Sequence, residues 1–172
     1  AAAVDYAASV GCESMQVFAK SPRQWLAKPT DPAVAAAFRA RLAAVGMGPV
    51  LVHTAYLINL GSADDALWER SCLALADELL RAEVLGATFV VTHTGTRFKD
   101  APERTASRIA EGVDRAWTHA GVEGVRLLLE NTAAAGSTFG DGPEELGAVR
   151  ERPLEGFKHG MSAILPQSTI WT

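Results

Sequence analysis

Cysteine is scarce in this chain of 172 residues: only Cys12 and Cys72, both in apolar sequence and without ligand-like spacing. That excludes a disulfide framework and a cysteine-based zinc cluster, and predicts two buried, reduced thiols in a cytoplasmic protein. Excess charge of either sign is also missing. The formal net charge is −4 at pH 7, so no global field draws the molecule onto nucleic acid or a membrane, and a polyanionic partner requires a local basic patch. No uncharged apolar run approaches the ~18 residues of a membrane span, and no signal peptide opens the chain. Neither Gly-rich phosphate fingerprint occurs, which argues against a nucleotide-binding doubly wound sheet. Without a G-x-S-x-G elbow, nucleophilic serine chemistry has no support. No linker or low-complexity segment divides the sequence. At 48% hydrophobic and 21% charged residues, it reads as one compact domain and a monomer. The opening "AAAVDYAASVG" reads as a helix already under way with no initiating Met, as expected of a fragment.

What is present is an alternation. "SMQVF" (14–18), "PVLVH" (49–53), "TFVVTH" (88–93) and "VRLLLEN" (125–131) are short apolar runs without internal polar alternation, the pattern of strands buried on both faces. Between them lie helical segments. Asp31-Pro32 supplies an N-cap and N1 start for a helix that Gly46 ends. From Ala63 a longer helix places Trp68, Cys72, Leu75, Leu79 and Ala82 on one face and stops at Gly86. Pro102 opens a third, with Ala106, Ile109, Val113, Ala116 and Ala120 inward and Gly121 as its stop. Pro143 begins a last short helix to about Arg150. The fold class predicted is α/β: a partial TIM-type (β/α) barrel of four parallel strands alternating with helices, truncated at both ends.

Three consecutive strands end in a potential metal ligand: His53, His93 and Glu130. Each follows the last by roughly 40 residues, about one β–α unit. In a parallel sheet all C-terminal strand ends share one face, with neighbours about 4.8 Å apart. The three side chains can therefore converge, and two imidazoles plus a carboxylate form a zinc site with a position left open. The follow-on sequences "HTGT" and "ENTAAAG" offer hydroxyls to brace those ligands. His119, before Gly121, is explained by the helix C-terminus, and the pair Glu144-Glu145 by a helix N-terminus. His159 has no assigned role.

"GCESMQVFAKSPRQW" (11–25), "HTAYLINLGS" (53–62), "THTGT" (92–96) and "ENTAAAGSTFG" (130–140) together resemble the endonuclease IV family of apurinic/apyrimidinic endonucleases, in the family's order over residues 1–150. The resemblance implies a zinc-dependent β/α barrel that hydrolyses the DNA backbone 5′ to an abasic site in base excision repair. It implies that His53, His93 and Glu130 are zinc ligands and that Glu130 is also catalytic, its carboxylate bridging two metals of a trinuclear centre. It implies further that Arg23, Tyr56 and Leu57 bind DNA by entering the minor groove at the lesion. An apolar wedge there replaces stacking lost in a kinked duplex. Lys20, Arg23, Lys28, Arg97 and Lys99 supply basic charge to the same face, and Trp25 packs its loop.

The family's first strand, with its early histidine, has no counterpart before Ala1, and "ERPLEGFKHGMSAILPQSTIWT" (151–172) does not match the family. Only three of the family's ligands are present, so at most one zinc and weak cleavage are expected. Two other readings are open: a metal-dependent sugar isomerase or epimerase on a related barrel, and a non-catalytic remnant. The partner expected on the first reading is double-stranded DNA with abasic sites.

Overall fold

The computed structural model describes residues 2–99, 101–132 and 136–152, and the backbone alone of 161–165. The elements run α1 (Ala2–Ser9), β1 (Met15–Phe18), α2 (Pro32–Val45), β2 (Val50–His53), α3 (Asp65–Leu85), β3 (Phe89–His93), α4 (Pro102–Ala120), β4 (Arg126–Glu130), α5 (Pro143–Arg150) and β5 (Met161–Leu165). Their boundaries follow local chemistry. The Asp31 carboxylate accepts from the Ala33 amide ahead of Pro32, and Asp64 caps α3 by accepting from Leu67. Gly46, Gly86 and Gly121 each end a helix in the left-handed conformation, with φ of 65°, 70° and 61°, where a Cβ is penalised.

All strand pairs are parallel, in the spatial order β1-β2-β3-β4-β5. A doubly wound sheet reverses direction partway; this one adds each strand on the same side of the last, as an arc of a barrel does. Right-handed crossovers in such an order place every helix on one side. Consecutive helices accordingly pack on each other, α1 on α2 through to α4 on α5. Val52, Val90, Leu127 and Leu129 face this layer and join the buried stripes of α3 and α4 in one core. Trp68, Cys72, Leu75, Leu79 and Ala82 on α3, and Ala106, Ile109, Val113, Ala116 and Ala120 on α4, are all buried as their periodicity predicts.

Two expectations need correction. The sheet has five strands, because Met161–Leu165, within the segment 151–172, pairs with β4. Its Ser-Ala centre is poor in strand-forming residues, and pairing against β4 supplies what propensity does not. His159 lies outside the described residues. The second concerns the thiols: Cys72 is buried but Cys12 is exposed. Cys12 follows the end of α1, where the chain turns outward through Gly11 at φ 81°. Burial pushes the Cys72 thiol up to about 12, leaving it protonated and unreactive.

Candidate functional site

Strand register brings the three predicted ligands together. His93 pairs directly with Glu130, whereas His53 pairs with Val91. Val91 and His93 are two residues apart and so point to the same side of the sheet. The offset is the stagger that a closing barrel requires. His53, His93 and Glu130 therefore project from one face, opposite the helix-packing residues, and their donor atoms all lie within 4.8 Å of one another.

The hydrogen bonds within this group bear on what fits there. His53 Nδ1 is 2.8 Å from the Thr54 carbonyl oxygen. A carbonyl can only accept, so Nδ1 carries a proton and neutral His53 has its lone pair on Nε2. That lone pair faces Glu130 Oε2 at 2.9 Å. Two acceptors at this distance repel unless a cation intervenes, either a second proton on the ring or a metal. Burial lowers the proton affinity of His53, but the hydrogen bond and charge of Glu130, with the Thr54 carbonyl, outweigh it and raise the pKa. His93 behaves oppositely. Burial is its main influence and lowers its pKa, and its Nε2 stands 3.6 Å from Glu130 Oε2, too far for a hydrogen bond. Among the described residues, His93 Nδ1 is buried without a hydrogen-bond partner. A tetrahedral zinc with bonds of ~2.1 Å wants donors about 3.4 Å apart, close to the 2.9 and 3.6 Å separations found here. The donor set fits zinc.

The ligand group is walled by two aromatic rings, one from the end of β1 and one from the loop after β2. Phe18, paired with His53 across β1 and β2, meets the His53 ring edge-on with centroids 5.4 Å apart. Tyr56 lies 5.6 Å from His53 and 5.5 Å from Phe18. The sequence signal for Phe18 is weak: a bulky apolar residue at the same strand-end level as His53. Tyr56 is 61% exposed and Arg23 is exposed, both on the ligand-bearing face. Leu57 is half-buried, short of the substantial exposure expected of a wedge. Trp25 packs against the core under the Arg70 guanidinium, 4.3 Å from its ring centroid.

The basic patch is smaller than the sequence predicts. Lys20 is buried, its ammonium donating to Asp77 at 2.6 Å. Arg97 is bound to Asp141 at 2.8 Å and Glu145 at 3.1 Å. Both charges are neutralised by carboxylates distant in sequence, which leaves Arg23, Lys28 and Lys99 as the exposed cations of the set. The hydroxyls after β3 likewise serve the loops and not the ligands. Thr94 donates to the Phe139 carbonyl, and Asn59 donates to Thr96 Oγ1 at 3.1 Å while accepting from the Thr96 amide at 2.9 Å. Gly95, at φ 100°, permits that approach, since a Cβ there would stand 2.1 Å from Asn59 Oδ1.

Asp77 gives a pH-dependent expectation. Burial raises its pKa, but hydrogen bonds from Arg81 and Lys20 reverse this and hold it below the ordinary carboxylate value. A depressed folded-state pKa contributes stability above the unfolded value, about 3.9, and loses it as pH falls through the lower folded one. The neighbouring Glu78 has the opposite sign, its pKa raised by burial despite Lys20. Asp77→Asn is therefore expected to lower the urea midpoint at pH 7, with the gap to wild type shrinking below about pH 4. A gap that stays constant contradicts the assignment.

The model of the xylose isomerase-like TIM barrel family matches residues 4–152. A probable endonuclease 4 of Methanoculleus marisnigri is 40% identical over 147 residues, 86% of this chain and 52% of the relative. The crystal structure of endonuclease IV from Thermus thermophilus aligns with a TM-score of 0.78 at 41% identity, over 89% of this chain and 55% of that one. A D-tagatose 3-epimerase-like protein aligns with a TM-score of 0.69 at 14% identity, over 87% of this chain and 55% of its own, which shows a shared fold alone. The chain thus spans about half the length of the relatives it matches. It belongs to the xylose isomerase-like TIM barrel family.

Proposed function

We propose that this chain is a zinc-binding unit of an endonuclease that recognises abasic sites in double-stranded DNA and hydrolyses the phosphodiester 5′ to the lesion. The observation that carries the reading is adjacency: the exposed Tyr56 ring stands 5.6 Å from the ring of the ligand candidate His53. A base-sized gap filled by Tyr56 would therefore hold the neighbouring phosphate beside the metal-binding group. His53, His93 and Glu130 hold the zinc, and the Thr54 carbonyl fixes the His53 tautomer so that Nε2 is the donor. When bound, zinc supplies positive charge that offsets the charge developing on the attacking and leaving oxygens. Glu130 faces both histidines and is the carboxylate at the reaction centre. Arg23, Tyr56 and Leu57 engage the lesion, with the exposed Lys28 and Lys99 adding contacts to the phosphate backbone. The functional unit is residues 1–150, to whose sheet Met161–Leu165 adds a further strand, acting as a cytoplasmic monomer. Among the described residues no helix is long and apolar enough to cross a membrane.

A sugar isomerase or epimerase would share the fold, but the exposed Arg23 and the Tyr56-Leu57 pair have no evident use for a small substrate. The test compares zinc-loaded chain on an abasic duplex, on undamaged duplex and on a ketose. The expected result is tighter binding of the abasic duplex with slow, zinc-dependent nicking on its 5′ side. Sugar interconversion without preference for the abasic duplex would overturn the proposal.

A further inference from the structure

Four charged side chains outside the metal-binding group, Lys20 on the Arg23 loop itself and three on α3, connect the loops that carry Arg23 and Tyr56. The side chains of Lys20 and Glu78 are each 1% exposed, and that of Arg81 is 7% exposed. Asp77, Glu78 and Arg81 all lie on α3. Buried charges contribute little net stability unless each is paired and hydrogen-bonded, so their connections matter more than their number. One set of bonds reaches the loop after β1. Lys20 donates to the Trp25 carbonyl at 3.3 Å, while Arg81 donates to the carbonyls of Lys28 at 2.9 Å and Ala27 at 3.0 Å. Another reaches the loop after β2, where Glu78 Oε1 accepts from the Ala55 amide at 3.1 Å. The two sets are joined. Asp77 accepts from Lys20 at 2.6 Å and from Arg81 at 2.9 Å, and Lys20 lies 3.5 Å from Glu78 Oε1. The loops also touch directly, the Tyr56 amide donating to the Pro22 carbonyl at 3.0 Å, one residue from Arg23.

We propose that Lys20, Asp77, Glu78 and Arg81 form a positioning unit that locks the Arg23 loop to the Tyr56-Leu57 loop, so that the two meet a lesion as one rigid jaw. The inference rests on the DNA-binding role proposed for those loops, but the locking itself is a property of the free chain. Fixed side chains lose less conformational freedom on binding than side chains on two independently moving loops. Apolar residues would fill the same space without setting a direction; hydrogen bonds to named carbonyls and to one amide set it.

The discriminating variant is Arg81→Met, which removes the bonds to the first loop and to Asp77 and no bond to the second loop. Hydrogen exchange of the full chain without DNA is the readout. Exchange at the Ala55 and Tyr56 amides is expected to accelerate together with that of residues 20–30, roughly tenfold for loss of a charge-assisted network. Amides of α4 and β4 should be unchanged. Acceleration confined to residues 20–30 overturns the coupling. If Arg81→Met does not fold, Glu78→Gln serves: its amide oxygen still accepts from Ala55, but the attraction for Lys20 is gone. Faster exchange in residues 20–30 then supports coupling, and unchanged exchange there overturns it. On abasic duplex, Tyr56→Ala should weaken binding less in the Arg81→Met background than in wild type, whereas equal losses contradict positioning. If wild type itself does not prefer abasic duplex, the DNA reading fails, and the exchange experiment still decides whether the loops are coupled.

Discussion

Replacing His53 or His93 with alanine is expected to lower zinc affinity more than 100-fold, since removing a residue that merely orients a ligand already costs 10–100-fold. Metal content after gel filtration should read at most one zinc per wild-type chain and essentially none for either variant. The size of the effect follows from the donor count. Three residues converge within 4.8 Å, so losing one leaves two donors, and an aqueous zinc gains little by exchanging water for them. His53→Ala carries a second penalty. It removes the group that Glu130 contacts at 2.9 Å and leaves a buried carboxylate 3.6 Å from His93 Nε2. Full zinc retention in both single variants would show that the metal is held elsewhere.

The second large effect is on DNA. Tyr56→Ala combined with Leu57→Ala is expected to weaken binding to abasic duplex roughly tenfold or more, on the scale of about 1–3 kcal/mol for an aromatic side chain stacked on a base. Binding to undamaged duplex should change less than about threefold, because contacts to phosphates dominate there. Tyr56 should account for most of the loss, as it is 61% exposed and Leu57 is half-buried. Fluorescence anisotropy at a fixed salt concentration measures both. Equal losses on the two duplexes would mean that the pair contributes general affinity and no lesion recognition.

The metal-binding group was legible in the sequence because it depends on strand ends. Uninterrupted apolar runs locate β2, β3 and β4, and parallel pairing fixes where their last residues go. The parity that turns His53, His93 and Glu130 to one face depends on a stagger between β2 and β3 that no single strand displays. The charged loops differ from their sequence expectation for a related reason. Lys20 and Arg97 sit in loops that look basic, but their partners, Asp77 and Asp141, lie 57 and 44 residues away. Local composition cannot show such pairing. Asn59 and Glu78 carry no signal in the sequence because their work is to hold backbone amides of other segments, Thr96 and Ala55. No residue pattern announces a side chain whose partner is a main-chain group. β5 escaped for want of propensity, its pairing with β4 being a tertiary effect.

Zinc-edge X-ray absorption on chain loaded with one equivalent of zinc tests the central claim most directly. The expected shell contains two imidazole nitrogens and a carboxylate oxygen at about 2.0–2.2 Å, with one imidazole contribution lost in His53→Ala and one in His93→Ala. A shell of oxygen alone, or imidazole scattering that persists when both histidines are replaced, would contradict it.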